Sequence, residues 1–140
     1  MTDLLGQLLK LEYSLLVNCP RLARMIPDMQ TRNLAVELGS TRVGHTDFIV
    51  KATHLFGGMP IWNFEPVPDD SDLLELFTKL REREIMLSGL YQRCVDLIEM
   101  EDLKSQFAAL AEEEKDHSRT VEIIIGRLEQ TQSQERPSPV

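Results

Sequence analysis

Five residues carry the chemistry that this sequence offers: Glu12, His45, Glu84, Glu114 and His117. Each stands where an amphipathic helix wants an apolar side chain. Glu12 follows Leu8 by four residues and precedes Leu15 by three, and Glu84 stands in the same relation to Leu80 and Leu87. Glu114 follows Leu110 by four residues and precedes Val121 by seven. His117 comes three residues later, so the two share one face as a Glu-x-x-His pair. His45 is seven residues after Leu38 and four before Ile49, again on the apolar side. A carboxylate on a core face is costly unless it is paired, and a divalent metal is the strongest partner for several together. Mixed carboxylate and imidazole donors suit iron, manganese or zinc. The plainer alternatives are a hydrogen-bonded buried pair for Glu114 and His117, and a satisfied core histidine for His45.

Four helices have to position these groups. Leu4, Leu8, Leu11, Leu15, Cys19, Leu22 and Ile26 recur at helical spacing over residues 3–26, with Thr2 or Asp3 as cap, Pro27 as stop and a kink expected at Pro20. A second helix is predicted from Asp28 to the stop at Gly57-Gly58. A third follows the cap cluster Asp69-Asp70-Ser71 and runs to Ile98, and a fourth carries Phe107, Leu110, Val121, Ile124 and Leu128. Residues 1–129 read as one domain and 130–140 as a disordered polar tail. Between the second and third helices, Met59 to Pro68 holds three prolines and no helical period. It is expected to be extended, with Trp62 and Phe64 against the bundle. The other connections are short enough to make each flanking pair an antiparallel hairpin. About a dozen extended residues reach roughly 35–40 Å, enough to cross a bundle of helices ~38 Å long. The predicted architecture is all-α, an antiparallel four-helix bundle with one long crossover between helices 2 and 3.

Composition narrows the function. The formal net charge of -8 lacks the basic footprint of a nucleic-acid or anionic-membrane partner. No run approaches the ~20 apolar residues of a membrane span, and the N-terminus lacks the basic start of an export signal. With Cys19 and Cys94 far apart on helical patterns, a reduced cytoplasmic pair is expected. There is no nucleophile triad, Cys-x-x-Cys pair or nucleotide fingerprint.

The chain resembles the ferritin-like superfamily, closest to the rubrerythrin and bacterioferritin type, over about residues 4–128. Leu11-Glu12-Tyr13, Glu84 with Tyr91, the run Leu110 to His117, and His45 ahead of Phe56-Gly57-Gly58-Met59-Pro60 carry the likeness. The resemblance implies one or two ions of iron or a similar divalent metal held by Glu12, His45, Glu84, Glu114 and His117. It also implies oxidation of iron or reaction with oxygen or peroxide, and a homodimer or higher homo-oligomer. Leu5, Leu9, Leu16 and Val17 widen the first helix's apolar face and are the expected contact.

One position departs. The family pattern puts a glutamate three residues before His45, where this chain has Arg42. Three carboxylates with one guanidinium balance one divalent ion rather than two. The competing expectation is a non-catalytic bundle in which Arg42 replaces metal and pairs with the buried glutamates. Tyr13 and Tyr91 are expected to pack, His54 to face solvent, and Glu112-Glu113 to be solvated.

Overall fold

A computed structural model describes residues 1–67 and 72–135 of the chain. Among these the regular structure is entirely helical: α1 (Thr2–Arg24), α2 (Met29–Ser40), α3 (Arg42–Leu55), α4 (Leu73–Leu97) and α5 (Glu101–Glu135). None is long and apolar enough to cross a membrane. α1 carries Asp3 in its first turn and Arg21 and Arg24 in its last, which suits the helix dipole, and it runs without interruption through Pro20. Asp28 caps α2 by accepting from the Thr31 amide at 2.9 Å, and Asp72 caps α4 at the Leu74 amide. The Asp69-Asp70-Ser71 cluster lies outside the described residues.

The predicted second helix is divided. α2 and α3 meet at Thr41, where the Ser40 and Thr41 hydroxyls donate back to the Glu37 and Leu38 carbonyls at 2.8 and 3.3 Å. Such local bonds compete with the helical ladder. Thr41 keeps near-helical angles, φ -78° and ψ -15°, so the two segments follow one another directly. α3 ends on Gly57, whose φ of +79° is the left-handed conformation that glycine adopts without strain. Gly58 follows for want of space: a Cβ there would lie 2.8 Å from Thr2 Cγ2. At the other end of the chain the expectation fails by several residues. α5 continues to Glu135, so residues 130–135 are helical rather than a disordered tail, and only 136–140 lie outside the described residues.

The helices pack around one core that includes Leu8, Leu15, Leu22, Ile49, Leu87, Phe107, Val121 and Ile124, all essentially buried. Leu5 and Leu9, read from the sequence as part of a self-association face, are 0% and 1% exposed and belong to this core. Leu16 is half-buried and Val17 is exposed on the same helix.

Residues 58–67, after α3, are extended and lie along α1, from Thr2 beside Gly58 to Arg21 beside Val67. A polar ladder on α1 holds them. Ser14 Oγ accepts from the Glu65 amide at 3.0 Å, Asn18 Nδ2 donates to the Glu65 carbonyl at 2.7 Å, and Asn18 Oδ1 accepts from the Val67 amide at 3.2 Å. Arg21 donates to the Val67 carbonyl. Tyr13 meets Trp62 edge-on and stacks on Phe64, at centroid separations of 5.1 and 5.6 Å. The expected packing of those two rings is only partial, since Trp62 stays 55% and Phe64 39% exposed. Asn18→Ala removes two of the ladder's bonds and is expected to cost about 2 kcal/mol in urea unfolding. It should also speed amide exchange at Val67; an unchanged midpoint would mean that the ladder holds nothing.

Candidate metal centre

Four chain segments bring the charged residues together because each places one on its buried face. Glu12 comes from the middle of α1, Arg42 and His45 from the first turn of α3, Glu84 from α4, and Glu114 and His117 from α5. Glu12, Arg42, Glu84 and Glu114 are all 0% exposed, and His45 is 5% exposed. The His117 side chain keeps 13% of its surface. All five residues singled out from the sequence thus meet in one cluster, with Arg42 at its centre.

The guanidinium reaches every carboxylate. Arg42 Nη1 donates to Glu12 Oε2 at 3.1 Å and to Glu114 Oε1 at 2.8 Å, while Nη2 donates to Glu84 Oε1. His45 bridges the same acids: its Nδ1 lies 3.2 Å from Glu12 Oε1 and 3.1 Å from Glu114 Oε1, and its Nε2 lies 3.1 Å from Glu113 Oε2. With carboxylates at both ring nitrogens, His45 is held as the imidazolium. Burial opposes that charge, but the bonds to Glu114 and Glu12 outweigh it and push the pKa up to about 10. Tyr91 donates its phenolic proton to Glu12 Oε1 at 3.0 Å. His117 Nδ1 sits 3.4 Å from Glu114 Oε2, its Nε2 sits 3.4 Å from Thr41 Oγ1, and its ring stacks on His45.

The carboxylates differ in their hold on protons. Burial raises Glu84 well above the usual range, against Arg42, and the neighbouring Glu114 raises it further. Burial likewise raises Glu12, with Arg42 opposing. Glu114 goes the other way. Burial pushes it up, but contacts with Glu84, His117, His45 and Arg42 together hold it far below an ordinary carboxylate. Three carboxylates facing Arg42 and the His45 imidazolium leave the cluster one positive charge short. Among the described residues, two buried polar side-chain atoms have no hydrogen-bond partner, Glu84 Oε2 and Arg42 Nε. The first belongs to a carboxylate of the cluster, where a proton or a cation would balance the charge.

The donor set decides how many ions fit. Two triads converge: Glu12 with His45 and Glu114, and Glu84 with Glu114 and His117, each with ligand atoms within 4.8 Å of one another. Arg42 Nη1 bonds both glutamates of the first triad, and His45 is bonded through both nitrogens, so that triad does not fit an ion while Arg42 stays. In the second triad Arg42 engages only the Oε1 atoms. Glu84, Glu114 and His117 are the residues that could hold a divalent ion beside it.

Sequence reasoning missed Glu113, which meets His45 rather than only solvent, and the bond from Tyr91 to Glu12. Tyr91 is seven residues after Glu84 on the same apolar face, which was the available signal. Glu113 lies about 100° around the helix from Glu114, and nothing in its spacing separates it from its solvated neighbour Glu112. His54 is exposed as expected, and Cys19 and Cys94 are buried free thiols. The chain matches no family model, no curated protein and no solved structure.

Proposed function

We propose that this chain is a ferritin-like metal-binding bundle reduced to one site, in which Glu84, Glu114 and His117 hold a single divalent ion beside Arg42. The observation that carries this reading is the unpartnered Glu84 Oε2, a buried acceptor within a triad of carboxylate and imidazole donors. The arrangement of the chain supports the fold. Ser88 on α4 bonds Ala111 on α5, and Asp72 before α4 bonds Gln132 near the end of α5, as in an antiparallel pair. The extended segment along α1 acts as the long crossover of ferritin-like bundles. Carboxylate and imidazole donors suit iron, manganese or zinc, and an ion there supplies Lewis acidity and charge. The chain's own groups do the rest: Arg42 and Tyr91 fix the carboxylates by donating to them, and the core excludes water.

Protein purified without chelators and dialysed against Zn2+, or against Fe2+ without oxygen, is expected to hold one ion per chain by elemental analysis. His117→Ala and Glu84→Gln are each expected to lower affinity by about 10-fold or more. A stoichiometry of two would overturn the single-site reading. A second reading rests on the guanidinium itself: bonded to all three carboxylates, and aided by protonated His45, Arg42 replaces metal altogether in a non-catalytic helical module. Fewer than about 0.1 ions per chain under saturating conditions decides for that alternative.

A further inference from the structure

We propose that Arg42 makes this centre selective for an ion that stays divalent, by acting as a fixed positive charge where a second ligand would otherwise receive a second ion. The inference rests on the single-ion reading and goes beyond it, because it names the class of ion and the residue that sets it. The three carboxylates of Glu12, Glu84 and Glu114 are all fully buried, and so is the guanidinium bonded to each of them. An arginine does not give up its proton in a protein, so its charge cannot adjust to that of a neighbouring ion. Between them the three carboxylates and Arg42 carry two negative charges, which a divalent ion cancels. A trivalent ion leaves one positive charge in a core with no solvent to screen it. The surrounding groups offer no relief: neither imidazole brings a negative charge, Tyr91 is spent as a donor to Glu12, and Glu113 is tied to His45. The His117 side chain keeps 13% of its surface exposed.

The magnitude follows from distance. One additional unit charge about 4 Å from the guanidinium, at an effective dielectric constant near 20, shifts an equilibrium by about a thousandfold. For bound iron that shift falls on the couple Fe3+ + e− → Fe2+. A thousandfold preference for the reduced ion corresponds to a potential about 180 mV higher than without the charge, at 59 mV per tenfold for one electron. The centre is thereby unsuited to cycling iron between two states and suited to a redox-inert ion such as zinc, or to iron kept ferrous.

The test is a mediated redox titration of iron-loaded protein, beside zinc-binding stoichiometry for each variant. Arg42→Gln keeps hydrogen-bonding groups and removes the charge; Arg42→Lys keeps the charge and loses the fork. The expected result is one ion per chain in wild type and in Arg42→Lys, and Arg42→Gln is loaded with one equivalent of iron for the comparison. The potential should drop by about 180 mV in Arg42→Gln and stay within about 40 mV of wild type in Arg42→Lys. Equal potentials in wild type and Arg42→Gln, with one iron bound in each, would overturn the inference and leave the single-ion reading standing. Wild type that takes up neither iron nor zinc overturns the single-ion reading, and this inference with it. Should Arg42→Gln fold poorly, a potential in Arg42→Lys lower by about 100 mV or more would count equally against the role of charge.

Discussion

Arg42→Met is expected to cost the metal-free protein about 3–5 kcal/mol at pH 7, the usual range when one partner of a buried ion pair is removed. Methionine keeps the aliphatic part of the side chain and its packing but ends short of the guanidinium, so the loss reports the charge together with a small cavity. Glu12, Glu84 and Glu114 then face one another without solvent, and His45 reaches only Glu12 and Glu114. Proton uptake by the carboxylates recovers part of the loss, so the deficit should be smaller at pH 5 than at pH 8. Zinc should recover more. An ion at 100 times its dissociation constant stabilises the folded state by about 2.7 kcal/mol, and the variant also frees the Glu12, His45 and Glu114 triad for a second ion. Urea unfolding with and without zinc measures both effects. A loss under about 1 kcal/mol in the metal-free protein would mean that the guanidinium holds the cluster together far less than its three bonds imply.

Much of this arrangement was legible because helical periodicity is strong where a chain buries one face. Glu12, Glu84 and Glu114 were visible as acids at positions otherwise filled by leucine, and burial at 0% follows from that placement alone. His45 and Arg42 share a face for the same reason, being one turn apart. The sequence was silent where the outcome depends on two elements at once. The break at Thr41 needs the Ser40 and Thr41 hydroxyls to turn back on their own helix, a choice that propensity leaves open. Ser14 and Asn18 look like ordinary polar interruptions of α1 until the extended segment lies against them and gives each a backbone partner. The polar composition of residues 130–135 suggested disorder, yet the helix continues past its apolar stripe, with Gln132 reaching Asp72. Whether Arg42 points inward was decided by charge: three acids converge on one interior point, and the nearest cation completes them.

The second large effect is a loss of stability with rising pH. His45 carries a pKa of about 10 in the folded chain, against an ordinary value of 6.5, because Glu114 and Glu12 hold its proton in spite of burial. The folded state therefore binds a proton that the unfolded chain releases. The resulting stabilisation is complete below about pH 6.5 and is lost as pH climbs through about 10. Glu84 and Glu12, both raised by burial, act in the same sense and begin to do so above their ordinary value of 4.5. Glu114, held low, has the opposite slope, confined to pH below 4.5. Through these groups the metal-free protein should accordingly be most stable near pH 4.5 and lose stability steadily above it. Through His45 alone it should lose about 3–5 kcal/mol by pH 10, at about 1.36 kcal/mol for each tenfold change in proton affinity and with partial solvent screening allowed for. His45→Gln is expected to be less stable at pH 6 and to show a much flatter profile between pH 6.5 and 10, since it has no proton to lose. Unfolding midpoints at pH 6, 8 and 10 for the two proteins decide the matter. A wild-type profile that stays level over this interval would show that His45 is neutral in the fold, with its contact to Glu12 supported by a proton on that carboxyl instead.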